Sequence, residues 1–114
     1  MLQRTLAKSV SVTGVGLHSG ERVALTLHPA EENSGISFRR TDLSGEMGEV
    51  IKLNPYLIND TRLSSTIVTD KGVRIGTIEH IMSALSAYGI DNALIELNAP
   101  EIPIMDGSSL PFIY

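Results

Sequence analysis

Apolar and polar residues alternate along the first third of the chain. Leu6, Val10 and Val12 fall on one face, and after the turn-rich GVGLHSG (14–20) Val23, Leu25 and Leu27 do so again. A period of two predicts two half-buried strands, the second closed by Pro29. Ile36 and Phe38 in GISFRR predict a third. TDLSGEMGEVIKLNP (41–55), rich in glycine and charge, carries the weakest pattern and reads as a loop. STIVTDKGVRI (65–75) predicts a hairpin turning at Asp70, Lys71 and Gly72, with β-branched residues on both arms.

The period changes at residue 77. Ile78, Ile81, Met82, Leu85 and Tyr88 recur at helical spacing, Thr77 stands where an N-cap belongs and Gly89 where a helix stops. TIEHIMSALSAYG (77–89) therefore predicts one helix of about three turns. DNALIELN (91–98) returns to strand, and APEIPIMDGSS is an extended, proline-bearing loop. LPFIY (110–114) reads as the opening of a second helix. With no internal repeat and no low-complexity segment, the pattern predicts an α+β fold, a two-layer sandwich of a mixed β-sheet with helices on one face.

Composition narrows this picture. At 114 residues and 42% hydrophobic, the chain can build one core and is too short for two ordinary domains, so residues 1–114 are expected to form a single domain. A formal charge of −4 and a pI near 5.2 leave no basic stripe to track a phosphate backbone, and Arg39-Arg40 is the one adjacent basic pair; no nucleic-acid partner is expected. No apolar run reaches the length of a transmembrane segment, and the start lacks a signal-peptide stretch, so the expected location is cytoplasmic. There is no cysteine, hence any metal must be held by histidine and carboxylate.

The candidate chemistry sits at Glu79 and His80. With Thr77 as N-cap these are N2 and N3, at the positive end of the helix dipole, a field that favours a carboxylate over an imidazolium. A neutral imidazole beside an ionised acid suits a metal site in which histidine is a ligand and glutamate a general base. The same pair also fits a plain helix start, the acid complementing the dipole and the histidine exposed beside the cap. The inverted HxxEH motif needs a histidine at 76, where Gly76 stands, so the helix supplies one ligand of the usual three. His28, at a strand end before Pro29, reads as a solvated loop residue. His18 lies between glycines that would let the backbone press an imidazole against something, or it is a surface turn.

SVSVTGVGLHSG, TIEH with its small-residue helix, and DNALIELNAPEIPIMDGSS occur in this order. Together they resemble the N-terminal domain of the UDP-3-O-acyl-N-acetylglucosamine deacetylases, zinc amidases of lipid A biosynthesis, over essentially the whole chain. The resemblance implies that His80 is the zinc ligand of the first domain and Glu79 the general base. It places His18 near the active-site cleft outside the catalytic ligand set. Arg62, Leu63 and Ser64 would border the acyl-sugar site; Thr61 and Asp106 are weaker candidates, each with a purely structural role as its other reading, Asp106 as a turn or cap. One Zn2+ is implied, although a His/His/Asp site would also accept Fe(II) or Co(II).

Family members are about twice as long or more, and their second domain brings the other two ligands, a general-acid histidine and the acyl passage. The expectation is one half of a two-domain enzyme, cut just inside its last helix, whose partners are the UDP-sugar substrate and the C-terminal half. Apolar surface bared by such a cut predicts self-association of the isolated chain. The competing class is an inert scaffold or binding domain without metal.

Overall fold

The structure, a computed structural model, describes residues 3–16, 20–54, 58–60 and 65–104. Val10–Gly16 (β1) and Arg22–Pro29 (β2) form an antiparallel pair, followed by Ile36–Arg40 (β3), a single 3-10 turn at Gly45–Gly48, and Ile51–Lys52 (β4). Ile58–Asp60 (β5), Ser65–Val68 (β6) and Arg74–Ile75 (β7) precede the helix Glu79–Ala87 (α1); Ala93–Leu97 (β8) and Pro103–Ile104 (β9) close the described chain. Six strands make a mixed sheet in the order β4-β3-β8-β2-β1-β9, with β3 parallel to β8 and the other neighbours antiparallel. The other three make a small antiparallel sheet, β5-β6-β7.

Register explains the core. Val12 pairs with Leu25 and Leu25 with Leu97, while Leu27 pairs with Ile95 and Ile95 with Phe38, so one face of the large sheet is apolar from strand to strand. Val23, Leu25, Leu27, Phe38, Ala93, Ile95 and Leu97 are buried there. Ile67 and Ile75 of the small sheet and Ile81 and Leu85 of α1 join the same cluster. The fold is thus α+β, the large sheet forming one layer and α1 with the small sheet covering its apolar face. The loop expected at 41–55 contains the 3-10 turn and β4, which is paired to β3. Gly48 permits that turn, since a Cβ there would lie 2.5 Å from the Leu43 carbonyl oxygen.

Two expectations change. His28 is not a solvated loop residue: it lies within β2, its Nε2 2.5 Å from Glu96 on β8 and its Nδ1 2.8 Å from the Ser9 hydroxyl. The outward face of a sheet brings polar groups from neighbouring strands into register, which one strand read alone does not show. The helix is also shorter than expected, nine residues or about two and a half turns. It ends at Gly89 (φ 68°), where the Ile90 amide bonds the Leu85 carbonyl and the Gly89 amide the Ser86 carbonyl, a Schellman stop. α1 is the one α-helix among the described residues; the second, expected from residue 110, and the apolar surface expected around the chain's last residues lie outside them.

Asn92 ties the N-terminal segment to the sheet from a buried position. Its Oδ1 accepts from the Gly35 amide (2.8 Å) and its Nδ2 donates to Gln3 Oε1 (2.8 Å). Asn92→Ala is expected to lower the unfolding free energy by about 1–3 kcal/mol, because a part-buried backbone N–H loses its acceptor. Leu25→Ala, at the middle of the apolar face, should lower it by about 2–5 kcal/mol. Urea denaturation of both variants checks the order.

Candidate functional site

The chain entering α1 is held on both sides of one residue. The Gly76 amide donates to the Pro100 carbonyl (2.8 Å) and the Gly76 carbonyl accepts from the Ile102 amide (2.9 Å), which fastens it in parallel to the 100–102 segment. Two residues on, the Ile78 amide donates to the Ser65 carbonyl (3.1 Å). Thr77 between them adopts φ 60°, a left-handed conformation that β-branched residues avoid and that costs of order 1–3 kcal/mol. Its side chain is buried and its hydroxyl has no hydrogen-bond partner among the described residues. Thr77 is therefore not the N-cap. Ile78 holds that position without a side-chain cap bond, because the clamps fix Thr77 in a conformation that turns its side chain into the interior.

Glu79 and His80 consequently stand one place earlier than expected, at N1 and N2, still within the first turn. Glu79 is partly buried, and its Oε2 accepts from the Ser65 amide at 3.1 Å. Among the described residues Oε1 has no bond, and the Ser65 amide orients the carboxylate through Oε2 alone. His80 is exposed, and no described residue bonds its ring. Consecutive helical residues point in different directions, so the carboxylate and the imidazole do not face each other. Ser83 and Ala87, three and seven positions on, are exposed on the same side as His80 and are too short to obstruct it.

The remaining sequence candidates, His18, Thr61, Arg62, Leu63, Ser64 and Asp106, lie outside the described residues. Their flanks are described, and they converge. Asp60 pairs with Ser65, the residue bonded to Glu79 and Ile78. Gly16, at the entry to the His18 turn, pairs with Pro103 in β9, and that strand continues the 100–102 segment clamped to Gly76. Backbone hydrogen bonds thus link the described flanks of these stretches to the root of α1. Ser65 and Thr77 are participants that sequence reasoning missed. Ser65 acts through its main chain and leaves no signature, while Thr77 carries the residue type of an N-cap. No cluster of three or more His, Cys, Asp or Glu side chains forms among the described residues. A surface cavity lies elsewhere, between the 46–51 segment and the 69–73 turn, where Lys71 pairs with Glu46 (3.5 Å) and Glu49 (3.9 Å).

Residues 3–114 match the family model described as UDP-3-O-acyl N-acetylglycosamine deacetylase. The chain is 95% identical over 114 residues to a UDP-3-O-acyl-N-acetylglucosamine deacetylase of Neisseria meningitidis serogroup B, covering 100% of this chain and 37% of that protein. It is 63% identical over 114 residues to the protein of that name from Chromobacterium violaceum, again over 37% of its length. The Vibrio cholerae serotype O1 protein of the same name is 54% identical over 112 residues, 98% of this chain and 36% of the relative. The chain therefore spans little more than a third of the relatives it matches.

The Glu79–Ser65 bond separates two roles of one carboxylate. Glu79→Ala, which removes the carboxylate that the Ser65 amide donates to, is expected to destabilise by about 1–3 kcal/mol. Glu79→Gln keeps a carbonyl acceptor and should stay within about 1 kcal/mol of the parent. Thermal melts of the two variants side by side check this.

Proposed function

We propose, on the premise that the chain belongs to the UDP-3-O-acyl N-acetylglycosamine deacetylase family, that it forms the part of a metal-dependent amide hydrolase of lipid A biosynthesis that supplies His80 as a metal ligand and Glu79 as general base. The observation that carries this reading is the first turn of α1, which presents a carboxylate oriented through Oε2, its other oxygen bonded by no described residue, next to an exposed imidazole. The substrate is the UDP-3-O-acyl-N-acetylglucosamine of the relatives' names, and the reaction is hydrolysis of its acetamide. The site works in the cytoplasm; no helix among the described residues is long and apolar enough to cross a membrane.

The donor chemistry fits zinc. A neutral imidazole is a common zinc ligand, and His80 has no competing hydrogen bond among the described residues. One imidazole does not hold the ion alone, so the set is completed by residues outside this chain, from the larger protein it belongs to. Bound zinc would supply a Lewis acid for the amide carbonyl and would acidify water. Glu79 takes a proton on Oε1 as water adds to the carbonyl carbon, while Ser65 holds Oε2 and so the plane of the carboxylate. Collapse breaks the C–N bond as the leaving nitrogen takes a proton from the general-acid histidine implied for the second domain, and releases acetate and the sugar amine. An inert scaffold would leave the strain at Thr77 and the orientation of Glu79 without a purpose, so the hydrolase reading is preferred.

Two experiments test it. In the full-length protein, Glu79→Gln is expected to lower kcat by about 10²–10⁴-fold with metal content unchanged, since it removes a base and no ligand. His80→Ala should instead lower metal content. Equal metal loss in both variants would make Glu79 a ligand and remove it as the base. The 114-residue chain alone is expected to release no acetate; metal-dependent turnover by the purified chain would contradict the incomplete ligand set.

A further inference from the structure

We infer that Thr77 is a positioning residue for the reaction: its left-handed backbone, fixed between two clamped peptides, aims the first turn of α1 and thereby sets the directions of Glu79 and His80. The inference rests on the reading of those two residues given above. Gly76 is bonded through both its amide and its carbonyl to the 100–102 segment, and Ile78 is bonded to Ser65. The torsions at Thr77 are then the joint between the fixed strap and the helix. A change there would let α1 swing about its root and move Glu79 off the Ser65 amide.

The residue at the joint is unfavourable on two counts. Glycine adopts φ near 60° without steric penalty, whereas a branched Cβ resists it. The hydroxyl is buried without a partner among the described residues, where a methyl would serve better. Strain of this kind persists where surrounding structure over-determines it, and it gathers at functional sites. Glycine would relieve the strain but open a wide range of φ and ψ at the joint. The wedged, branched side chain confines the joint to one narrow well. Since no described residue bonds the hydroxyl, the shape of the side chain does this work and its polarity does not.

The test compares Thr77→Gly and Thr77→Val in the full-length protein, with Glu79→Gln alongside, reading kcat, KM, metal content and Tm. Thr77→Gly is expected to lower kcat by about tenfold or more, with KM and metal content unchanged and Tm equal to or above the parent's, as misaligned groups slow chemistry without weakening binding. Thr77→Val keeps the branched Cβ and should retain kcat within about threefold. A Thr77→Gly protein with the parental kcat would overturn the inference, as would a rate loss that merely follows a lower Tm or lost metal. A Thr77→Val protein as slow as Thr77→Gly would overturn it too, by making the hydroxyl the feature that matters. Failure of the underlying reading shows separately, as a Glu79→Gln protein that keeps the parental rate.

Discussion

Three backbone hydrogen bonds around Thr77 fix the start of α1: Gly76 to Pro100, Ile102 to Gly76, and Ile78 to Ser65. Each joins stretches far apart in sequence, and each uses main-chain groups that must be paired when water is excluded. Without them α1 would be a nine-residue amphipathic helix free to roll on the sheet, too short to be stable by itself. With them, the helix start is pinned to the strap that continues into β9 and to the stem of the small sheet. Glu79 adds a fourth tie through the Ser65 amide, so the proposed base is oriented by the same residue that anchors the helix.

The large sheet is the platform for this arrangement. β8 lies between β2 and β3 and contributes Ala93, Ile95 and Leu97 to the buried face, so the chain leaving it has a fixed exit toward the 100–102 strap. β1 is fixed by its six paired positions with β2, and its far end at Gly16 pairs with Pro103. Packing in the core thus determines where the motif-bearing loops begin and end. The catalytic proposal needs that rigidity, because an oriented carboxylate is useful only if its support does not move.

Much of the fold was legible in the sequence because its cause is local. Alternation at Val23, Leu25 and Leu27, the Asp-Lys-Gly turn and the stop at Gly89 all follow from side-chain period or backbone preference. The features that were not legible have partners far along the chain. Thr77 has the residue type of an N-cap, and tertiary clamps override that preference. His28 faces Glu96 68 positions away, through a register that a single strand cannot reveal. Within the site, Glu79 and His80 were legible as a chemical pair and through family resemblance. Ser65 was not, since a main-chain amide looks the same under any side chain. The motifs holding His18, Thr61 to Ser64 and Asp106 were recognisable as stretches, and the structure describes only what flanks them.

The central claim is a division of labour on one helical turn, in which the imidazole holds metal and the carboxylate handles protons. The most direct measurement is a crystal structure of the full-length protein with zinc bound. The account predicts a ring nitrogen of His80 at about 2.0–2.1 Å from the ion, with Glu79 outside ligand distance and still accepting from the Ser65 amide. A structure with the Glu79 carboxylate bound to the ion, or with His80 turned away from it, would contradict the account.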